Sequence, residues 1–302
     1  MRIGVDVGGT KIEAAAIRKD GSFALRRRVA TPPGDYDATL DTIVLLIDEM
    51  ENALGRQCLL GFGIPGTVSP ATGRIKNAPN ATIDGRYFDR DIEARLGRPV
   101  RMMNDANCFA LSEAHGGAAD GAGTVFGAIL GTGCGGGIVV DGTVLIGKNA
   151  IAGEWGHTQL PWMSGAEFPG RPCKCGLKGC IETFLSGTGF AARHAEDTGD
   201  ALPASEIVRR AQAGDTACRD SLGRYESRLA RALSHVINLL DPDVIVLGGG
   251  MSNVASLYDR VPALWHEWVF SDRVDTRLVP PRFGDSSGVR GAAWLWPEDA
   301  SP

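Results

Sequence analysis

The sequence has no long run of lysine or arginine, and its 302 residues carry a formal net charge of −5. This charge balance excludes the broad positive surface on which nucleic-acid binding depends, so we expect no nucleic-acid partner. Uninterrupted apolar stretches fall short of the roughly 18 residues that a membrane span needs. The segment after Met1 lacks the basic leader and apolar core of a secretory signal. We therefore expect a cytoplasmic protein with no membrane partner.

Cysteine is scarce and unevenly spread. The chain has seven cysteines, an odd number, and three of them are Cys173, Cys175 and Cys180. A secreted disulfide framework has a different pattern, so we expect reduced thiols. Three thiols so close together favour a metal site. The C-x-C spacing is tighter than the usual C-x₂-C, and buried thiols without a ligand are the alternative.

Glycine, in contrast, is abundant, with 41 residues. Glycines are dense in residues 8–9 and 131–137, each between two strand patterns. Backbone N–H groups can hold a phosphate chain only where no side chain blocks the approach, which favours a nucleotide site. Residues 131–136 match G-x-G-x-x-G, but a strand rather than a helix follows, which excludes a dinucleotide-binding motif. Residues 8–11 lack the P-loop spacing, and ordinary hairpin turns are the alternative for either segment.

Strand and helix patterns alternate along the chain, which predicts an α/β protein. The expected strands are 3–7, 12–17, 59–64, 100–103, 124–130, 138–140 and 244–247, and the expected helices are 36–53, 106–114 and 222–240. A strand, a glycine turn and a second strand occur at the start and again near residue 124. This recurrence predicts two related lobes, 1–115 and 116–302, that face each other across a cleft. We expect the terminal helix to pack back on the first lobe.

The glycine turns resemble those of the ROK family of sugar kinases, within the actin-like, hexokinase-type ATPase superfamily. Residues 6–11 (DVGGTK) are similar to the family's first phosphate motif, 131–135 (GTGCG) to its second, and 248–252 (GGGMS) to its adenosine-side loop. The similarity extends along nearly the whole chain. It implies a two-lobed actin-like ATPase (ribonuclease H-like) fold with the active site in the interlobe cleft.

The resemblance also implies an ATP site built from these three motifs. The implied ATP-binding residues are Asp6, Gly8, Gly9, Thr10, Lys11, Gly131, Thr132, Gly133, Cys134, Gly135, Gly249 and Gly250. In the family, the acidic residue at the position of Asp6 acts, usually through water, near the Mg²⁺ of MgATP. ATP and Mg²⁺ are therefore the implied cofactors.

Asp105 follows a predicted strand and opens a predicted helix, where α/β folds place ligand-binding groups. By position alone, an N-cap role is the alternative. Residues 104–108 (NDANC) resemble the family's catalytic segment, which implies that Asp105 is the general base and that Asn104 binds the sugar. An aspartate with an ordinary pKa of about 3.9 is deprotonated at neutral pH, so we expect no special tuning of Asp105.

Residues 154–157 (EWGH) and 180–182 (CIE) resemble the family's sugar-binding elements. The resemblance implies that Glu154, His157 and Glu182 bind ring hydroxyls, a task that suits carboxylate oxygens. Taken singly, the two glutamates would be assigned to the surface. Asn80 is a further candidate for this pocket.

The cysteine cluster matches the family pattern C-x-C-G-x-x-G-C-x-E in full. That resemblance adds His157 to Cys173, Cys175 and Cys180 as a fourth ligand. A closed Cys₃His shell has no open position, so the implied Zn²⁺ is structural and belongs to an insertion in the larger lobe.

Residues 161–163, 284–291 and 292–296 look most like bacterial fructokinases or mannokinases of the family. The expected activity is therefore ATP-dependent phosphorylation of fructose, and also mannose, at the 6-hydroxyl with Asp105 as base. N-acetylglucosamine kinase and glucokinase of the same family are the alternatives, and a non-catalytic sugar sensor is an alternative of another class. Family repressors carry a DNA-binding region, for which we expect no room before Asp6. Relatives are commonly dimers, so a homodimer is expected.

Overall fold

The computed structural model of the chain describes residues 1–79, 82–297 and 300, and the statements below concern these residues. Its strands form two five-stranded sheets and one two-stranded ribbon. The first sheet contains, in spatial order, β3 (Phe23–Ala30), β2 (Lys11–Ile17), β1 (Arg2–Val7), β4 (Leu59–Ile64) and β7 (Arg101–Asn104). The second contains β10 (Thr143–Val144), β9 (Cys134–Val140), β8 (Thr124–Leu130), β11 (Val244–Gly248) and β12 (Arg277–Val279). The ribbon pairs β5 (Thr67–Val68) with β6 (Ile75–Lys76).

Helices connect the strands and cover the sheets. The α-helices are α1 (Tyr36–Leu54), α2 (Phe88–Leu96), α3 (Asp105–Ala114), α4 (Glu182–Leu185), α5 (Gly187–Thr198), α6 (Ala204–Gln212), α7 (Thr216–Leu240), α8 (Leu257–Ala263) and α9 (Ser287–Ala293). Short 3₁₀ turns span Trp155–His157, Gly250–Asn253, Trp265–Glu267 and Gly284–Ser286. Within the described residues, no helix combines the length and apolar character needed to cross a membrane.

The two large sheets are built on one plan. In the first, β1 is antiparallel to β2 and parallel to β4, which is parallel to β7. In the second, β8 is antiparallel to β9 and parallel to β11, which is parallel to β12. The hairpin that recurs in the sequence therefore begins both sheets. The mixture of parallel strands and helices confirms the predicted α/β class.

Strand β3 is a part of the first sheet that the sequence patterns did not predict. It contains the arginine triplet 26–28, whose side chains are exposed. Glu13 on the neighbouring strand is buried, and its carboxylate pairs with Arg26 and Arg28. Arg26 and Arg28 therefore remain exposed to solvent and also neutralise a buried acid on β2.

Helix α9 packs against the first sheet although it comes from the end of the chain. A Cβ on Gly4 of β1 would lie 1.9 Å from the Val289 carbonyl oxygen, and one on Gly61 of β4 would lie 1.8 Å from that of Ala292. Glycine is therefore required at both strand positions, because any side chain would push the helix away. The same helix lies on α3, where a Cβ on Gly291 would be 1.7 Å from the Cys108 carbonyl oxygen. The lobe boundary at residue 115 stays a prediction.

Candidate active site

Asp105 is the first residue of α3, directly after β7. Asn104 is the N-cap, because its Oδ1 accepts a hydrogen bond from the Ala106 N–H at 3.0 Å. Its Nδ2 donates to the Gly66 carbonyl at 3.1 Å, across to the turn that follows β4. Asp105 Oδ1 accepts from the same Ala106 N–H at 2.8 Å. The capping role therefore belongs to Asn104, and the Asp105 carboxylate lies at the positive end of the helix dipole.

Asp6, near the end of β1, has a half-buried carboxylate close to Asp105, whose own side chain is accessible to solvent. Burial raises the pKa of Asp6, the charges of Asp105 and Glu13 add to the rise, and together they bring it to about 7. Burial also raises the pKa of Asp105, against the hydrogen bond from the Ala106 N–H, and Glu154 adds to this rise. The pKa of Asp105 is therefore raised above the ordinary value that the sequence analysis assumed, because the protein around the carboxylate disfavours its charged form. The cleft thus concentrates negative charge that a cation or a donor can compensate.

The surroundings of Asp6 leave room for such a cation. A Cβ on Gly63 of β4 would lie 3.7 Å from Asp6 Oδ1, and one on Gly288 of α9 would lie 3.8 Å from the same atom. The Asp6 carboxylate is therefore bordered by two glycines, which have no side chain to occupy the space beside it. Mg²⁺ binds through one or two carboxylates, keeps several waters and prefers oxygen ligands, so Asp6 fits the predicted Mg²⁺ role.

Replacing Asp6 by asparagine is expected to stabilise the protein more at pH 8 than at pH 5. The folded pKa of about 7 lies above the ordinary value of 3.8, so ionisation costs stability progressively as the pH rises through this window, and fully above it. Asparagine cannot ionise. The free energy of unfolding at pH 8 should therefore rise by about 1–2 kcal/mol. Thermal denaturation at both pH values measures the difference, with Asp48→Asn on the exposed face of α1 as control. A stabilisation that is equal at both pH values would contradict the assigned pKa.

The first glycine turn, residues 8–10, joins β1 to β2. The Gly8 N–H donates to the Lys11 carbonyl at 2.9 Å. Thr31, which follows β3, makes two hydrogen bonds to the turn. Its Oγ1 donates to the Gly8 carbonyl at 2.8 Å, and its N–H donates to the Thr10 carbonyl at 3.1 Å. A Cβ on Gly9 would meet no atom within 4 Å. The tip of the turn is therefore open, as a phosphate-binding turn must be.

The second turn, residues 131–133, is supported by two other segments. The N-terminus of α5 holds it, because the Gly187 N–H and the Thr188 Oγ1 donate to the carbonyls of Gly131 and Thr132, both at 2.7 Å. Gly249, directly after β11, packs against it, since a Cβ there would lie 2.6 Å from the Leu130 carbonyl oxygen. The second and third predicted ATP motifs therefore lie in contact, with Gly249 and Gly250 at the start of a 3₁₀ turn.

Several glycines near the second turn serve packing. The predicted ATP residues Cys134 and Gly135 lie in β9, and the glycine run continues to Gly137. A Cβ on Gly137 would lie 2.5 Å from the Ala106 carbonyl oxygen, and one on Gly136 would lie 2.5 Å from that of Gly153. Strand β9 therefore packs closely against α3 and against the segment 153–157. These glycines position Asp105 and Glu154, and the ATP role of Gly135 stays a prediction.

The predicted sugar ligands divide between two places. Asn104 and Glu154 line one cavity of about 160 Å³. Glu182, at the start of α4, instead accepts a hydrogen bond on Oε2 from the Cys134 N–H at 3.0 Å and lies 3.4 Å from the Lys174 amine. This carboxylate therefore supports the strand after the second glycine turn, and its contact with a sugar stays a prediction. Asn80 lies outside the described residues.

The four predicted zinc ligands come together. The ligand atoms of His157, Cys173, Cys175 and Cys180 all lie within 4.8 Å of one another. His157 Nδ1 lies 3.5 Å from Cys173 Sγ, and the Sγ atoms of Cys175 and Cys180 are 3.5 Å apart. A tetrahedron with Zn–S bonds of about 2.3 Å has edges of about 3.8 Å, so this donor set fits Zn²⁺. His157 Nδ1 is directed at the metal site, so the predicted contact with a sugar hydroxyl falls to Nε2 and stays a prediction.

Glu167 anchors the segment that leads into this cluster. Its buried carboxylate accepts from Arg228 Nε and Arg231 Nη2 on α7, both at 2.8 Å. Arg231 also donates to the Trp162 carbonyl at 2.7 Å. Burial opposes ionisation of Glu167, but the hydrogen bonds from both arginines lower its pKa to about 2. The chain before Cys173 is therefore fixed to α7 without help from a metal.

Asn107 is a site residue that the sequence patterns did not single out. It lies on α3 three residues after Asn104, so both side chains project from one face of the helix. Its side chain is buried and lines the same cavity as Asn104 and Glu154. Within the described residues its Oδ1 has no hydrogen-bond partner. The i, i+3 spacing of two asparagines beside the predicted base is the signal that could have identified it.

Comparison with known proteins agrees with this geometry. The sequence profile of the ROK family matches residues 2–299. An N-acetyl-D-glucosamine kinase of Photobacterium profundum is 43% identical over 299 residues, which cover 98% of this chain and 99% of that protein. A ROK hexokinase structure from Thermus thermophilus gives a TM-score of 0.86 at 29% identity, covering 97% of this chain and 96% of the other. A ROK family glucokinase structure from Streptomyces griseus, in complex with glucose and AMPPNP, gives a TM-score of 0.78 at 28% sequence identity. The match covers 97% of this chain and 98% of that one. These structures confirm the predicted two-lobed actin-like ATPase fold.

Proposed function

The chain belongs to the ROK family of sugar kinases, and we propose that it is an ATP-dependent N-acetylglucosamine kinase acting on the 6-hydroxyl. The 43% identity to a relative of that name, over nearly the full length of both chains, supports this substrate. The fructokinase or mannokinase activity predicted from the sequence is not confirmed. N-acetylglucosamine kinase was the alternative, and the curated relatives favour it.

The observation that carries the catalytic proposal is the position of Asp105. Its carboxylate lies at the N-terminus of α3, accessible to solvent, beside Asp6 and within the electrostatic influence of Glu154. Phosphoryl transfer asks the protein mainly to position the acceptor hydroxyl, offset charge and accept one proton. A general base works best when its pKa approaches the working pH, and burial moves the pKa of Asp105 in that direction.

In the proposed mechanism, Asn104, Glu154 and His157 hold the sugar hydroxyls, and Glu182 contributes from the metal-supported side. The backbone N–H groups of both glycine turns hold the phosphates of ATP. When bound near Asp6, Mg²⁺ offsets the charge of those phosphates. Asp105 accepts the proton of the 6-hydroxyl as the hydroxyl oxygen attacks the γ-phosphorus, the bond from that phosphorus to the β–γ bridging oxygen breaks, and ADP leaves with the bonding pair. Closure of the cleft excludes water.

The proposal includes a structural Zn²⁺ in the Cys₃His cluster, a cytoplasmic location and a homodimer. All seven cysteines are free, as expected of a protein that uses ATP in a reducing compartment. A homodimer is supported by apolar side chains exposed at the end of α7 and near it, at Leu239, Phe270 and Trp162. Residues near these positions contact one another, since the Asn238 amide donates to the Trp268 carbonyl and Trp268 packs on Trp162.

A coupled ADP-release assay across several sugars tests enzyme class and substrate together. We expect kcat/KM to be at least about tenfold higher for N-acetylglucosamine than for fructose, mannose, glucose or N-acetylmannosamine. Release of ADP without any sugar sets the background. An equal or higher kcat/KM for fructose would restore the fructokinase assignment, and no sugar-dependent ADP release would favour the non-catalytic sensor.

A further inference from the structure

The cavity beside Asn104 and Glu154 has the size of a side pocket. Its volume is about 160 Å³, whereas pockets for whole ligands usually measure about 300–1,000 Å³. At about 30 Å³ per water molecule, it has room for a substituent of a few heavy atoms. Its polar lining includes Thr67 and Asn107 besides Asn104 and Glu154, and its apolar lining residues are Ile64, Val68, Met102, Met103, Ile146, Ala150, Ile151 and Ala152. A short apolar group attached to a sugar held by Asn104 and Glu154 therefore fits this space.

The outer wall of this pocket exposes apolar side chains. Ile146 and Ile151 are each 46% exposed. Both belong to the segment 145–152, which returns on itself through a hydrogen bond from the Ala152 N–H to the Ile146 carbonyl at 3.2 Å. Lys76 on β6 holds it from the other side, since its amine donates to the Asn149 carbonyl at 2.9 Å. Exposed isoleucines held over a cavity lose contact with water when an apolar group enters, which favours binding.

The pocket also contains a buried hydrogen-bond acceptor, the side-chain oxygen of Asn107. Asn107 Oδ1 is buried and has no partner within residues 1–79 and 82–297. A buried amide oxygen costs free energy unless a donor reaches it. An amide N–H on the substrate is such a donor, and it is directly bonded to the carbonyl carbon of an acyl chain. A buried acceptor beside these apolar side chains matches an acylamino group, which combines a donor with an apolar methyl, better than it matches a hydroxyl alone.

We propose that this pocket binds the acylamino group at C2 of the sugar, with the N–H donating to Asn107 Oδ1 and the acyl methyl among the apolar walls. This inference rests on the proposed kinase activity and names the residues that select its substrate. A hexose with a hydroxyl at C2 leaves the apolar walls uncovered. Asn107, Val68, Ile151 and Ala152 are therefore specificity residues.

Filling the pocket tests this assignment. Ala152→Leu adds apolar atoms to the lining, so the ratio of kcat/KM for N-acetylglucosamine to that for glucose should fall about tenfold or more. Asn107→Leu, similar in size, removes the acceptor and should lower the same ratio about tenfold. Leu145→Phe is the matched control, because Leu145 is exposed on the same segment and does not line the cavity. It should leave the ratio unchanged.

The possible failures are distinct. If the wild-type protein phosphorylates N-acetylglucosamine but both variants keep the wild-type ratio, the pocket assignment is wrong and the proposed function stands. An equal loss for both sugars in both variants also overturns the assignment, because it indicates general damage. If the wild-type protein phosphorylates no 2-acylamino sugar, the proposed function fails first. Thermal denaturation of each variant identifies any that does not fold, and the other variant then decides.

Discussion

Replacing Asp105 by asparagine is expected to lower kcat by about 10²–10⁴-fold, which is the usual contribution of general acid–base catalysis. Asparagine keeps a side-chain oxygen that can accept the hydrogen bond from the Ala106 N–H, now 2.8 Å from Asp105 Oδ1. It cannot accept the proton of the attacking hydroxyl. The affinities for sugar and for MgATP should change little, since the hydroxyl-binding and phosphate-binding groups remain. Steady-state kinetics together with calorimetric binding separate the two effects.

The Asp105→Asn variant should fold, so a lower kcat can be assigned to the lost base. Burial raises the pKa of Asp105, so its charged form costs stability above that pKa, and a neutral asparagine should be at least as stable at pH 8. Asp35→Asn is a matched control, because Asp35 also accepts a hydrogen bond at a helix start, from the Ala38 N–H at 2.9 Å, but on α1. Its kcat should match wild type. An Asp105→Asn protein with kcat within tenfold of wild type would falsify the assignment of the base.

Loss of the proposed Zn²⁺ should lower kcat/KM by about 100-fold or more, a loss that misplacement of binding groups by about 1 Å can cause. Cys175→Ser removes one of the four clustered ligands. Without the metal, His157 is no longer tied to the loop 173–180. Glu182, two residues after Cys180, then loses its fixed contact with the Cys134 N–H, 3.0 Å away. Both the sugar side and the phosphate side of the cleft are therefore affected.

The damage should stay local. Glu167 remains bound to Arg228 and Arg231, so the chain before Cys173 keeps its position on α7. Metal analysis should give about one zinc per wild-type chain and almost none for Cys175→Ser, and hydrogen exchange should increase mainly in residues 173–182. Cys58→Ser, a thiol change away from the cluster, is the control for metal content. A fully active protein without bound metal would contradict a role for zinc in the active site.

Local patterns predicted much of the framework. Apolar alternation and helical spacing indicated β1, β2, β4, β8, β11 and α1, because each has a regular buried face. The pattern for α7 indicated a start near residue 222, whereas the helix begins at Thr216. Its first turn depends on the Asp215 side chain, which accepts from the Cys218 N–H at 2.9 Å. A capped polar turn has no apolar periodicity to reveal it.

Contacts between distant residues set the limit of sequence prediction at the site. The motif resemblance identified Glu182, but its bond to the Cys134 N–H joins residues 48 apart. The raised pKa of Asp6 likewise depends on Asp105 and on burial by other segments. Strand β3 was missed because its exposed arginines give it no apolar alternation, and their partner Glu13 lies on another strand. Such features arise from tertiary packing, which one local pattern cannot encode.

The contact of α9 with β1 and β4 has a consequence for synthesis on the ribosome. Domains usually fold in order as the chain emerges, the N-terminal one first. Here Gly4 and Gly61 lie within van der Waals distance of a helix whose last residue is Ala293. A nascent chain that has released both strands still exposes the face that α9 covers, until residues 287–293 have also left the exit tunnel. We therefore expect the N-terminal half to depend on chaperones during translation, and a stop codon before residue 287 to leave it unable to mature.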